Sequence, residues 1–228
     1  NSRIYACGNS TYPNRIYYTD LNDGEDWTTH GGSMTIDGND NDNLTGLANY
    51  SYFGSNIYNV ILATKKKKLY TVDVSNTTPA NWTFTCINTE IGCYSHFTIK
   101  NVGSAMTFWD GWRVQSLTGI ALTPLSIPIH PDLIAIDPAY RGTHQTEVWN
   151  DKNHLYLTYV TLGATTHTVI YMYDFALNAW AKWTGMKAEC LATLYDEDTD
   201  TYHVCTGGSD GKAYKLWSGT NDNGTAIT

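Results

Sequence analysis

Apolar and aromatic residues fall in short runs punctuated by Gly, Asn and Asp, and hardly any stretch repeats them at i, i+3, i+4 and i+7 over a dozen positions. Little helix is expected. The runs predict strands over Arg3–Cys7, Arg15–Thr19, Asn59–Thr64, Leu69–Val74, Thr83–Ile87, Ala105–Trp109, Trp112–Leu117, Leu155–Val160, Thr168–Asp174, Cys190–Tyr195, Thr201–Thr206 and Ala213–Trp217. Turn residues bound each run. Asp110-Gly111 reads as a two-residue loop of the kind that closes a tight hairpin, and Asp210-Gly211 repeats the device.

Aligning the hairpins exposes a repeat of apolar, apolar, Asp, loop, aromatic. Asp20 leads through Asn22, Asp23 and Gly24 to Trp27, Asp73 to Trp82, Asp174 to Trp180, and Asp196 to Tyr202. In physical terms the Asp accepts backbone N–H bonds in the turn, and the aromatic covers the joint between neighbouring sheets. Dividing 228 residues by about 45 per four-stranded unit gives about five. The expected units are 3–41, 42–90, 91–131, 132–186 and 187–227. The fold class is therefore all-β, a single β-propeller domain of about five blades over 1–228, with a Greek-key β-sandwich as the alternative. In the third unit Pro124, Pro128 and Pro131 exclude a central strand and imply an extended crossing segment, with a short helical turn in Asp132–Tyr140.

Composition supports the strands. The chain has 17 Tyr, 8 Trp and 5 Phe, and only 16% of its residues are charged. The net charge of −8 disfavours nonspecific affinity for nucleic acid or anionic membranes, and no apolar run approaches the length of a membrane helix. Five widely spaced cysteines, Cys7, Cys86, Cys93, Cys190 and Cys205, form no C-x-x-C pair and read as buried, reduced thiols. Sequons at Asn9, Asn43, Asn49, Asn76, Asn81 and Asn223 follow from an Asn- and Thr-rich composition and do not establish secretion.

Candidate chemistry is sparse. Asp37-Gly38-Asn39-Asp40-Asn41-Asp42-Asn43 offers oxygen ligands as a calcium loop does, but Asp42 stands where an EF-hand needs Gly and Ala48 where it needs Glu. The plainer reading is an Asn/Asp-rich inter-blade loop satisfying its own backbone. Lys65-Lys66-Lys67-Lys68 reads as a solvated turn, or else as a contact for an acidic partner. His30, His96, His130, His144, His154, His167 and His203 are scattered, with no H-E-x-x-H, and no nucleophile elbow, P-loop or dinucleotide fingerprint occurs. Asp20-x-Asn22-x-Gly24-x-x-Trp27 is similar to the turn box of sialidase-like propellers. However, Asp20 replaces its Ser, and Arg3, Arg15, Arg113 and Arg141 lie within or beside predicted strands rather than forming a triad. Trp109, Trp112, Trp149, Trp180 and Trp183 are candidates for stacking on sugar rings, against a plainer role in blade packing. No catalytic, cofactor-binding or metal-binding residue is assigned.

Five segments in consistent order carry a resemblance: Tyr12–Trp27, Ile36–Tyr50, Ile91–Gly119, Tyr171–Met186 and Asp210–Ile227. Together the chain resembles the β-propeller proteins of tailed-bacteriophage virions, of the phage stabilisation and tail accessory type. That resemblance implies a non-enzymatic structural and docking component of a tail or neck. It also implies a homo-oligomeric ring at the DNA exit channel, with portal, neck or tail proteins as partners, passive contact with DNA, no membrane and a place in the virion. No catalytic residues transfer with it. Members of this kind carry sequence before and after the propeller, whereas a strand follows Asn1 almost at once, so a processed or excised domain is expected. The alternative functions are a carbohydrate-binding adhesin or receptor-binding module and, behind it, a propeller glycosidase.

Overall fold

The computed structural model describes residues 2–53, 57–159, 164–186, 188–217, 221–222 and 225–226. The architecture is all-β, with five antiparallel sheets following one another along the chain. The first contains β1 (Tyr5–Ala6), β2 (Arg15–Tyr18) and β3 (Gly32–Thr35), and the second β4 (Leu44–Phe53), β5 (Ile57–Lys65), β6 (Leu69–Asp73) and β7 (Thr83–Asn88). The third holds β8 (Lys100–Val102), β9 (Ala105–Trp109), β10 (Val114–Thr118) and β11 (Ala121–Pro124), and after it comes a short helix, α1 (His130–Ile134). The fourth holds β12 (Gln145–Trp149), β13 (His154–Tyr159), β14 (Val169–Asp174) and β15 (Ala179–Thr184), and the fifth β16 (Cys190–Asp196), β17 (Thr201–Gly207) and β18 (Ala213–Lys215). A two-stranded ladder, β19 (Asn221–Asp222) with β20 (Thr225–Ala226), follows.

Each of the five sheets lies inside one of the five units read from the sequence, and in each the strands pair with their chain neighbours as a meander. No Greek-key crossover occurs among the described strands. The chain groups into two compact units, residues 1–134 with 141–143, and residues 135–140 with 144–228.

In the first unit, alternate side chains of β5 face opposite cores. Val60 and Leu62 join Tyr50, Leu69, Met106, Phe108 and Leu117 on one side. Ile61 and Ala63 join Ile16, Ile36, Tyr70 and Val72 on the other. The second sheet is thus packed on both faces, and β6 is a continuous buried run (Leu69–Val72) rather than an alternating one. In the second unit Trp149, Tyr156, Ile170 and Met172 of the fourth sheet pack with Leu191 and Val204 of the fifth.

Each expected strand corresponds to an observed one within a few residues, except that Val160, like the sequon at Asn223, lies outside the described residues. The sequence reading missed β3, β4, β8, β11, β12, β15 and the short pair β19 and β20. Strand β4 was hidden by Gly46 and Asn49. Gly46 is there because a Cβ would meet Ile99 and His96 at 2.8 and 2.9 Å, so the strand trades propensity for close approach. The proline-rich segment begins as edge strand β11, with Pro124 its last residue, opposite Gln115. The prolines exclude a central strand, not an edge. The helical turn falls at His130–Ile134, with a 3₁₀ turn at Pro138–Tyr140. The Asp110-Gly111 loop is four residues long rather than two, because Trp109 pairs with Val114.

Candidate functional site

The two most conspicuous polar motifs meet each other. Lys65 Nζ, fully buried, donates to Asp40 Oδ1 and to the Asp37 carbonyl, each at 2.7 Å. Lys68 Nζ lies 2.8 Å from both Asp37 Oδ2 and Asp40 Oδ2, and the backbone N–H groups of Lys66 and Lys67 donate to the Asp42 carboxylate. Tyr70 Oη completes the network on Asp37 Oδ2 at 2.7 Å. Burial acts most strongly on Asp40 and would raise its pKa, but the hydrogen bonds from Lys65, Lys68 and the Asp42 N–H together hold it down to about 2. Asp37 is lowered by the Lys68 and Tyr70 hydrogen bonds, and the Tyr70 phenol is pushed up, first by burial and then by Asp37.

This corrects two expectations. The lysine run is not wholly solvated, since only Lys66 and Lys67 are exposed, and the Asp/Asn loop does more than satisfy its own backbone. Its three carboxylates are occupied by the lysine turn, which leaves no open oxygen cage for calcium. The turn is closed from outside by Gly92, where a Cβ would lie 2.0 Å from the Lys65 carbonyl oxygen, and by Cys93, whose N–H donates to that same oxygen at 2.8 Å.

In three of the four repeated hairpins the repeat's own Asp caps the turn. Asp73 accepts from the Ser75 N–H, Asp174 from Ala176 and Leu177, and Asp196 from Asp198. Asp20 accepts from the adjacent Leu21 N–H, and in that hairpin Asp26 takes over, binding the N–H groups of Thr28, Thr29 and His30. Those bonds, led by Thr29, lower Asp26 to about 2. The aromatic half of the repeat plays two parts. Trp82 covers the joint between the first and second sheets, its ring centroid 4.6 Å from Tyr18 and 5.9 Å from Tyr5. Trp180 and Tyr202 instead sit directly opposite Tyr173 and Tyr195 as cross-strand pairs.

Of the five tryptophans considered for sugar stacking, Trp109 and Trp149 are buried, Trp180 and Trp183 are half-buried, and Trp112 is exposed. The histidines remain dispersed. In the second unit His154 Nε2 lies 3.4 Å from Asp174 Oδ2 and its Nδ1 3.2 Å from Tyr156 Oη, which also accepts the Trp217 Nε1–H at 2.7 Å. Burial pushes that phenol up to about 12, so this chain of bonds holds a neutral hydroxyl in the core. His144 and His167 stack in parallel, centroids 6.0 Å apart, and are both buried. Asp20, Asp26 and His30 converge within 4.8 Å, but Asp26 is already occupied by the turn it caps. All five cysteines are free thiols. Cys93 is buried as expected, but Cys86 and Cys190 are exposed. Arg3 serves the Thr19 and Thr77 carbonyls, while Arg15 and Arg141 cover the rings of Tyr12 and Trp112 at 3.9 and 3.6 Å.

One concavity of the first unit collects polar groups that are not all occupied in this way. Its volume is about 380 Å³, and Glu90, Asp110, Trp112, Arg113, Gln115 and His130 line it. The sequence reading named the Trp112 ring but missed the cleft, because its walls come from three segments that no local pattern connects. Searches against protein-family models and curated proteins give no match for this chain.

Proposed function

We propose that the chain is a β-propeller of about five blades serving as a non-enzymatic structural and docking component of a phage tail or neck. In this reading it forms part of a homo-oligomeric ring at the DNA exit channel, beside portal, neck or tail proteins. The observation that carries docking is the recurrence of solvent-exposed apolar side chains on the four Asp-capped hairpins: Trp27, Phe84, Leu177, and Tyr195 with Tyr202. Repeated exposed apolar side chains on a surface otherwise rich in Asn, Thr and Ser suit contacts with other protein chains.

Three further features support the reading. The second sheet buries both faces, as a blade between two neighbours does, whereas each sheet of a two-layer sandwich keeps an outer face. Many of the carboxylates and lysines that converge are occupied by caps and ion pairs, as with Lys215 Nζ on Asp196 Oδ2 at 2.7 Å. A net charge of −8 lets DNA pass a channel wall rather than adhere to it. The ordered resemblance to virion propellers supplies the setting.

Light scattering on the purified chain, with negative-stain images of the same sample, tests the assembly. Symmetric rings that dissociate on Leu177→Asp or Tyr202→Asp substitution are expected. A chain that stays monomeric at tens of micromolar, with and without these substitutions, contradicts the ring.

A further inference from the structure

The cleft in the first unit is built rather than incidental. Asp110 Oδ1 accepts the N–H groups of Trp112 and Arg113 at 2.7 and 2.6 Å, which fixes its carboxylate at the head of the β9–β10 loop. Its other oxygen, Oδ2, accepts the Gln115 Nε2–H at 2.6 Å, and this orients the amide so that Oε1 is the acceptor left over. Gln115 is only 2% exposed, and its Oε1 has no partner. An unmatched buried acceptor is destabilising until a donor reaches it. His130 Nδ1, also buried, lacks a partner in the same wall.

The remaining groups define what would fit. The Arg141 guanidinium lies 3.6 Å above the Trp112 ring and holds it, while 47% of that residue stays open to solvent. Ile91 and Ile134 extend the apolar surface beside it. Among the lining residues Glu90 and Asp110 bring two negative charges and Arg113 a positive one, and the Arg141 guanidinium adds a second positive charge on the Trp112 ring. A phosphate would meet the carboxylates, and a lysine or arginine side chain would meet the guanidinium groups. A neutral ligand with a C–H face and a rim of hydroxyls suits every member. Its face lies on Trp112, its hydroxyls donate to Glu90 and Gln115 Oε1, and they accept from Arg113.

We propose that this cleft is a saccharide-binding site for a neutral pyranoside of one or two rings. Its volume stands at the lower end of small-ligand sites, which run from about 300 to 1,000 Å³. The inference is independent of ring assembly. A monomer would carry the site equally well, and a ring without it would leave the docking proposal intact.

The test uses the full chain titrated with α-1,4-glucan, β-1,4-glucan, β-1,4-N-acetylglucosamine, α-mannan and β-galactan pentasaccharides, read by calorimetry and tryptophan fluorescence. Saturable binding of at least one is expected. It should weaken roughly tenfold or more in Trp112→Ala, as truncation of an aromatic anchor does, and clearly in Glu90→Ala. Trp112→Phe keeps a ring and retains most of the affinity. Ile120→Ala, at an exposed residue of the β10–β11 turn, leaves it unchanged, and far-UV circular dichroism verifies that each variant is folded. Binding of none of the five sugars overturns the proposal, as does sugar binding that survives Trp112→Ala and Glu90→Ala. Trilysine or inorganic phosphate bound in place of every sugar, with the same dependence on the variants, assigns the cleft to a cation or an anion and equally overturns it.

Discussion

Lys65 and Asp40 form an ion pair at 2.7 Å in which the ammonium is wholly withdrawn from solvent while the carboxylate is also shared with Lys68. The two residues belong to motifs 25 positions apart, and each neutralises what the other could not bury alone. Removing the carboxylate strands a buried cation, whereas removing the cation leaves Asp40 still paired with Lys68. Asp40→Asn should therefore cost about 3 kcal/mol of stability. Lys65→Met, which substitutes an apolar chain of similar length, should cost less than half as much. Urea denaturation of both variants gives the order, and a reversed order contradicts the network.

The same network sets an acid limit. Asp37 and Asp40 both titrate below the ordinary 3.8 when folded, Asp40 near 2. Groups with a depressed folded pKa stabilise the fold above the unfolded value, and that contribution disappears as pH falls through the folded one. Stability should hold above pH 4 and decline between about 4 and 2, with a shallower decline in Asp40→Asn. Melting temperatures across this range measure it. Because the carboxylates are occupied by lysines, millimolar calcium should leave the melting temperature unchanged, and a rise of several degrees would restore the calcium-loop reading.

Gly92 has the most demanding position in the first unit. Its backbone sits on the lysine turn so closely that an added methyl would lie 2.0 Å from one backbone atom and 2.7 Å from two more. Gly92→Ala should destabilise by about 3 kcal/mol, at or beyond the upper end of ordinary overpacking. Gly103→Ala, with open space around it but a positive φ of 58°, should cost about 1 kcal/mol through backbone strain alone. Thermal denaturation compares them, and equal losses would remove the steric argument.

In the second unit, burial lowers the pKa of His167 from 6.5, with Glu189 opposing in part. His144 stacks on it, Thr158 Oγ1 lies 3.2 Å from its Nδ1, and the Glu189 carboxylate accepts its backbone N–H. A histidine held neutral stabilises the fold above its unfolded pKa and progressively less as pH falls below it. Hydrogen exchange across residues 144–158 and 167–174 should accelerate as pH drops from 6.5 towards 5, once corrected for intrinsic rates. His167→Gln should reduce this dependence, and a pH-independent profile in the parent chain contradicts the assignment.

How much was legible in the sequence differs between levels. The five-sheet partition was readable because turn chemistry is local. Asp174 with Ala176 and Leu177, or Asp110 with Trp112 and Arg113, caps its hairpin within three residues. Strands such as β4 were hidden because Gly46 serves contacts to His96 and Ile99 in another segment. The lysine run was misread for the same reason. Charge repulsion within Lys65–Lys68 is visible locally, but its relief by Asp37, Asp40 and Asp42 comes from 24 to 31 residues away. The cleft depends on Glu90, Gln115 and His130 meeting, which no spacing encodes.

The central proposal is that the five meanders are blades arranged around one axis. A cryo-electron microscopy reconstruction of the chain, alone or in its assembly, tests it most directly. The expected map shows the five sheets radiating from a common axis, with the hairpins bearing Leu177 and Tyr202 at the surface through which neighbouring copies meet. Sheets stacked face to face in two layers, or two units joined with no common axis, would contradict it.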